Sequence, residues 1–180
     1  MNEAKILHGV AEVLRQGETL LRTLDDATYT QRLPAAFNAS VGGHYRHCLD
    51  HFQSLLVALD ADEVNYDHRQ RDPRIETERD FAVNETRRIF RGCEGIADQW
   101  LTRSIMVRTK VSYADETAPA MPSTFGRELM YAVAHAIHHY ALIGVMCGLM
   151  GVPVPAGFGV APSTLKHQVD EANKDTASAR

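Results

Sequence analysis

Apolar residues Ile6, Val10, Val13, Leu14, Leu20, Leu21 and Leu24 recur at spacings near three and four, which predicts an amphipathic helix from Asn2 to about Leu24. After a connection over 25–39, Ser40 is placed to cap a second helix that runs to about Leu59, with Tyr45, Phe52, Leu55 and Leu56 on its apolar face. The stretch 60–77 is polar, contains Pro73 and lacks a helical period, so it reads as a long loop. A third helix is predicted from about Glu78 to Leu101, weakened locally by Gly92 and Gly95. Alternation at Val107, Thr109, Val111 and Tyr113 predicts a short extended or hairpin segment. Pro122 and Ser123 are expected to open the fourth helix, which is nearly continuous in apolar residues to Met150 and is stopped by Gly151 and Pro153.

Four such helices make an all-α four-helix bundle the expected fold, with the long loop between the second and third permitting a crossover. One domain over 1–180 suffices, and about 168–180 is expected to be a flexible tail. At 180 residues, with 44% hydrophobic and 23% charged, the chain can bury one sizeable core without disulfides or a structural metal. Cys48, Cys93 and Cys147 are odd in number and widely spaced, which argues for small buried thiols and against a thiolate cage. A net charge of −4 and a pI near 6.1 offer no basic face, so nucleic acid is excluded as a partner. With neither a secretory signal nor an unbroken apolar run of about 18 residues, the expectation is a soluble, cytoplasmic protein with no membrane partner.

Histidine changes the picture. His44, His47 and His51 form one cluster and His135, His138 and His139 another, so six of nine lie in two short segments. At about 100° per residue, His135 and His139 stand about 40° apart on one helix face, and the three of the first cluster span an arc of about 60°. A pair from one helix and a third imidazole from a facing helix would make a three-histidine site with open coordination positions. Any of His44, His47 or His51 could be that third ligand. The bland alternative is ordinary hydrogen-bonded helix histidines, but burying two imidazoles in a core of Ala, Val, Ile, Leu and Met is costly without partners for both ring nitrogens. HAIHH is not a zinc-peptidase HExxH, because Ala136 stands where the general base would be. Glu128, about 20° from His135, and Asp50, at the edge of the first arc, could bind directly or orient a ligand, and His138 could do the latter. Arg69, Arg71 and Arg74 in the long loop could clamp a carboxylate or phosphate at the pocket mouth, or simply pair with Asp67, Asp72 and Glu76.

The segments SVGGHYRHCLDHF and HAIHHYALI resemble the DinB-like superfamily of metal-binding four-helix proteins, which includes bacillithiol- and mycothiol-dependent transferases. The resemblance reaches most of the chain, while YDHRQRDPRIE and FGVAPST set it apart as a subgroup. Matched by motif, it implies His47, His135 and His139 as metal ligands, with His44 and His51 as extra candidates. It also implies an up-down-down-up bundle, a divalent ion such as zinc or nickel, and a homodimer. The function expected from it is a metal-dependent transferase acting on a small molecule, with a low-molecular-weight thiol as co-substrate. A metal-dependent hydrolase and a non-catalytic metal-binding or ligand-sensing module are the alternatives.

Overall fold

A computed structural model describes the backbone of residues 2–178 and the side-chain surroundings of residues 4–174. Four long helices carry the fold: α1 (Asn2–Thr23), α3 (Val41–Ala61), α5 (Arg79–Glu94) and α7 (Phe125–Leu149). Between the first two lies α2 (Asp26–Thr30), and after α3 come the strand β1 (Glu63–Asn65) and the short α4 (Pro73–Thr77). The chain then passes through α5, α6 (Asp98–Leu101), β2 (Ser104–Arg108) and β3 (Ala120–Thr124) before α7, and finishes in α8 (Pro162–Ser178).

Each long helix packs on two others, α1 and α3 both touching α5 and α7, so α1 and α3 stand diagonally across the bundle. Leu14, Leu20, Leu21, Leu49, Leu55, Ile89, Leu129 and Ile143 fill the centre, each at most 1% exposed. Gly17 admits the closest approach there: a Cβ at that position would overlap the hydroxyl of Tyr140 and lie 2.7 Å from that of Tyr45. By length and composition α7 could cross a membrane. In this fold its inner face packs in the core, and Leu142, Val145 and Leu149 lie exposed on its outer face.

Several ends form as their chemistry dictates. The Ser40 hydroxyl accepts from the amide of Gly43 and caps α3 as predicted. The predicted third helix stops early: α5 ends at Glu94 and Gly95 caps it, after which a separate turn forms α6. The loop over 60–77 is more ordered than expected, because Glu63–Asn65 pairs in parallel with β2 and Pro73, placed behind an Asp72 cap, starts α4. The predicted extended segment forms only in its first part: Val107 lies in β2, the central strand of a small sheet ordered β1-β2-β3, whereas Thr109, Val111 and Tyr113 fall after the strand has ended at Arg108.

Pro122 and Ser123 do not open the fourth helix. They lie in β3, antiparallel to β2 with Met106 opposite Pro122, and Thr124 is the true cap, accepting from the amide of Arg127. β3 is an edge strand, where a proline's missing N–H costs no ladder bond. Beyond Gly151, which has φ +71°, the chain folds back so that Phe158 stacks on Tyr140 at 4.8 Å. The expected flexible tail over 168–180 is helical as far as Ser178, and its last two residues lie outside the described residues.

Candidate metal centre

The site lies where α3 crosses α7. In α3 the turn of the helix aims His44, His47 and His51 at α7, and in α7 the four-residue spacing aims His135 and His139 back. His47, His135 and His139 offer ligand atoms that all lie within 4.8 Å of one another. Nε2 of His47 faces Nε2 of His135 at 3.0 Å. For zinc–nitrogen bonds of about 2.0–2.1 Å, the edge of a tetrahedron is about 3.3 Å. Two imidazoles facing nitrogen to nitrogen need a proton or a cation between them, and this separation sits near that edge.

The remaining histidines flank this group. Nδ1 of His44 lies 2.9 Å from Nδ1 of His139, engaging one of that ring's nitrogens and leaving the other available. His51 is buried, and its Nδ1–H donates to the carbonyl of His47 at 2.9 Å, which fixes its tautomer. Its ring lies 4.1 Å from His135, so it packs against that ring while standing outside the three-histidine group. His138 points outward and meets His139 edge-on at 5.5 Å.

Glu128 does not join the histidines. It is buried and accepts from Tyr66 Oη at 2.9 Å, Ser123 Oγ at 2.7 Å and Arg127 Nη1 at 2.9 Å, tying β3 and the segment after β1 to the start of α7. Asp50, fully buried, accepts from Arg46, and Arg46 also donates to Glu76 on α4. Burial pushes the Asp50 carboxyl up to about 6, against the pull of Arg46, Arg69 and Arg71.

The structure separates the three loop arginines. Arg74 is turned away, forked onto Asp72 and lying 4.2 Å over the Phe81 ring. Arg71 is exposed, whereas Arg69 is half-buried and acts electrostatically on His47, His51 and His135.

Two tyrosines missed in the sequence complete the wall. Tyr66 stacks on His51 at 5.1 Å, and Tyr131 stacks on His135 at 5.7 Å. Tyr131 was findable, since it precedes His135 by four residues and so shares its helix face. Tyr66 was not, because only the sheet brings it there. Burial holds its hydroxyl protonated, so it donates to Glu128.

Burial also keeps the imidazoles neutral. It pushes His51, His135 and His139 down to about 4 and His47 to about 2, with the neighbouring positive groups adding to the effect, and it lowers His44 as well. Neutral nitrogens are what a metal requires. The ordinary histidine value is 6.5, so as pH falls below it the unfolded chain takes up protons that the folded chain refuses. Metal-free protein is therefore expected to lose stability between about pH 6.5 and pH 4. Melting curves across that range check this, and a flat Tm would show that the cluster is not neutral in the fold.

The DinB family model matches residues 1–165. A DinB-like protein of Bacillus subtilis, YjoA, superposes with a TM-score of 0.62 over 87% of this chain and 99% of that one, at 16% identity, which speaks to the fold alone. A curated protein of Rhizopus delemar called FK506-binding protein 5 is 38% identical over 104 residues, 58% of this chain. The match spans about a quarter of that protein's length, 27%.

Proposed function

Because this chain belongs to the DinB family, we propose that it is a metal-dependent enzyme that transfers a thiol sulfur onto a small electrophile, with His47, His135 and His139 as the ligands of one divalent ion, zinc or nickel. The convergence of those three imidazoles from α3 and α7 carries the reading. The donor set fits: three neutral nitrogens leave coordination positions for a substrate, the arrangement of open rather than closed sites. When bound, such an ion supplies Lewis acidity that lowers the pKa of a thiol or a water.

The chain's own residues do the rest. His44 holds the His139 ring through its Nδ1, and His51, itself fixed by its bond to the His47 carbonyl, packs against the His135 ring, so little rotamer freedom is lost on binding. Tyr66, which is buried, and Tyr131, which is exposed, present aromatic faces beside His51 and His135 and limit how those rings can turn. In the reaction the thiol gives up its proton to solvent, sulfur forms a bond to an electrophilic carbon, and the leaving group departs with the electron pair of the bond it loses.

Zinc- or nickel-loaded protein incubated with a small thiol and an alkyl halide is expected to consume both in equal amounts, and chelation is expected to stop it. Turnover of an ester substrate without thiol, stopped by the same chelator, would point to hydrolysis instead. Metal bound with no turnover of either would point to a sensing module.

A further inference from the structure

We propose that Arg69 is the substrate-holding group of this site and that it binds an oxyanion, a carboxylate or phosphate, beside the histidines. The proposal deepens the metal-site reading and takes its setting from it.

Arg69 sits three residues beyond Tyr66, whose hydroxyl is tied to Glu128 and whose amide donates to Arg108 on β2. The carbonyl of Tyr66 accepts from Arg69 Nη1, so the guanidinium is leashed at one corner to a residue that is itself fixed at two points and stacked on His51. From there its charge reaches His47, His51 and His135.

One of its remaining donors is buried and unmatched among the described residues. The Nε of Arg69 is buried and has no hydrogen-bond partner. The neighbouring arginines differ: Arg46 is paired with Asp50 and Glu76, and Arg74 with Asp72, while among the described residues Arg69 makes no ion pair. A buried guanidinium N–H without an acceptor is costly, and the planar fork of arginine fits the two oxygens of a carboxylate or phosphate. Asp50 does not take that place. One of its oxygens is spent on Arg46 and the other, Oδ1, is buried and equally unpartnered. A cation held at the edge of a prospective metal site with a buried N–H left unpartnered is an arrangement for an anionic ligand.

The arginine Nε–H resonances of 15N-labelled protein, metal-free and zinc-loaded, report on this directly when sodium phosphate or sodium acetate is added at constant ionic strength. The signal absent from Arg69→Gln identifies Arg69. It is expected to shift saturably with one or both anions, and a response to phosphate alone or acetate alone assigns the class. Followed through the amides of Tyr66 and His51, Arg69→Gln is expected to weaken anion binding by about tenfold or more, Arg69→Lys by less, and Arg74→Gln not at all. An Arg69 signal unmoved by both anions in both forms overturns the proposal, as does an Arg69→Gln protein that binds them as tightly as the parent. The two readings fail separately: anion binding at Arg69 in protein that takes up neither zinc nor nickel would sink the metal site and leave this inference standing, and metal uptake with a silent Arg69 would do the reverse.

Discussion

Replacing His135 with alanine is expected to reduce bound metal from about one equivalent to near none. His135 stands opposite His47 at 3.0 Å and belongs to the group of three whose ligand atoms converge. Removing a residue that merely orients a ligand costs metal affinity about 10–100-fold, so removing a direct ligand should cost at least about 100-fold. His47→Ala and His139→Ala should behave alike. His44→Ala, which takes away only the partner of His139 Nδ1, should fall in the smaller range. His138→Ala should retain the metal, because that side chain points outward. Metal analysis of the dialysed proteins decides it, and unchanged stoichiometry in the His47 and His135 variants together would end the assignment. Each ligand deletion also removes a half-buried polar group, so circular dichroism must show the bundle intact.

The second large effect is expected at Gly42, in the first turn of α3. A Cβ there would overlap the carbonyl oxygen of Glu76 and come within 2.9 Å of the Tyr29 ring, which donates its hydroxyl to the carbonyl of Ile75 on the same short helix. The obstacle is backbone, which cannot swing aside, so α4 must move off α3. Overpacking of this kind costs about 1–3 kcal/mol, and we expect Gly42→Ala near the top of that range. For a chain of this length that lowers Tm by about 6–12 °C. Gly43 is the control: its Cβ would meet Ser40 Oγ at 3.4 Å and Glu76 Oε1 at 3.6 Å, ordinary contacts, so Gly43→Ala should hold or raise stability by up to about 1 kcal/mol. Thermal melts of both variants test the difference, and equal Tm values would show that α4 is not docked this tightly. The shift also reaches the histidine cluster, because Glu76 on α4 holds Arg46, and Arg46 holds Asp50 beside His51.

The pairing of His135 with His139 and the long helices were legible in the sequence because they depend on a local period: 3.6 residues per turn sets which side chains share a face, whatever the helix packs against. The same logic found Ser40 as a cap and the clustering of His44, His47 and His51 toward one side. It could not choose among those three. That choice follows from how far along α3 the crossing with α7 falls, which puts His47 opposite His135, His44 beside His139, and His51 against its own helix carbonyl.

Where pairing is between distant segments, local pattern says little. Pro122 and Ser123 carry a helix-start signature, yet β2 claims them as an edge strand. Glu128 has the right helical phase to reach His135, but Tyr66, Ser123 and Arg127 satisfy its carboxylate first. Of three arginines in one polar loop, Asp72 neutralises Arg74, while the tether from Tyr66 carries Arg69 to the histidines. The sequence by itself therefore determined the helices, their apolar faces and the supply of imidazoles, since each depends on neighbours within a turn or two. Only the tertiary structure decided which nitrogens meet and which buried polar atoms stay unpartnered, because those outcomes depend on contacts between residues as much as 95 positions apart.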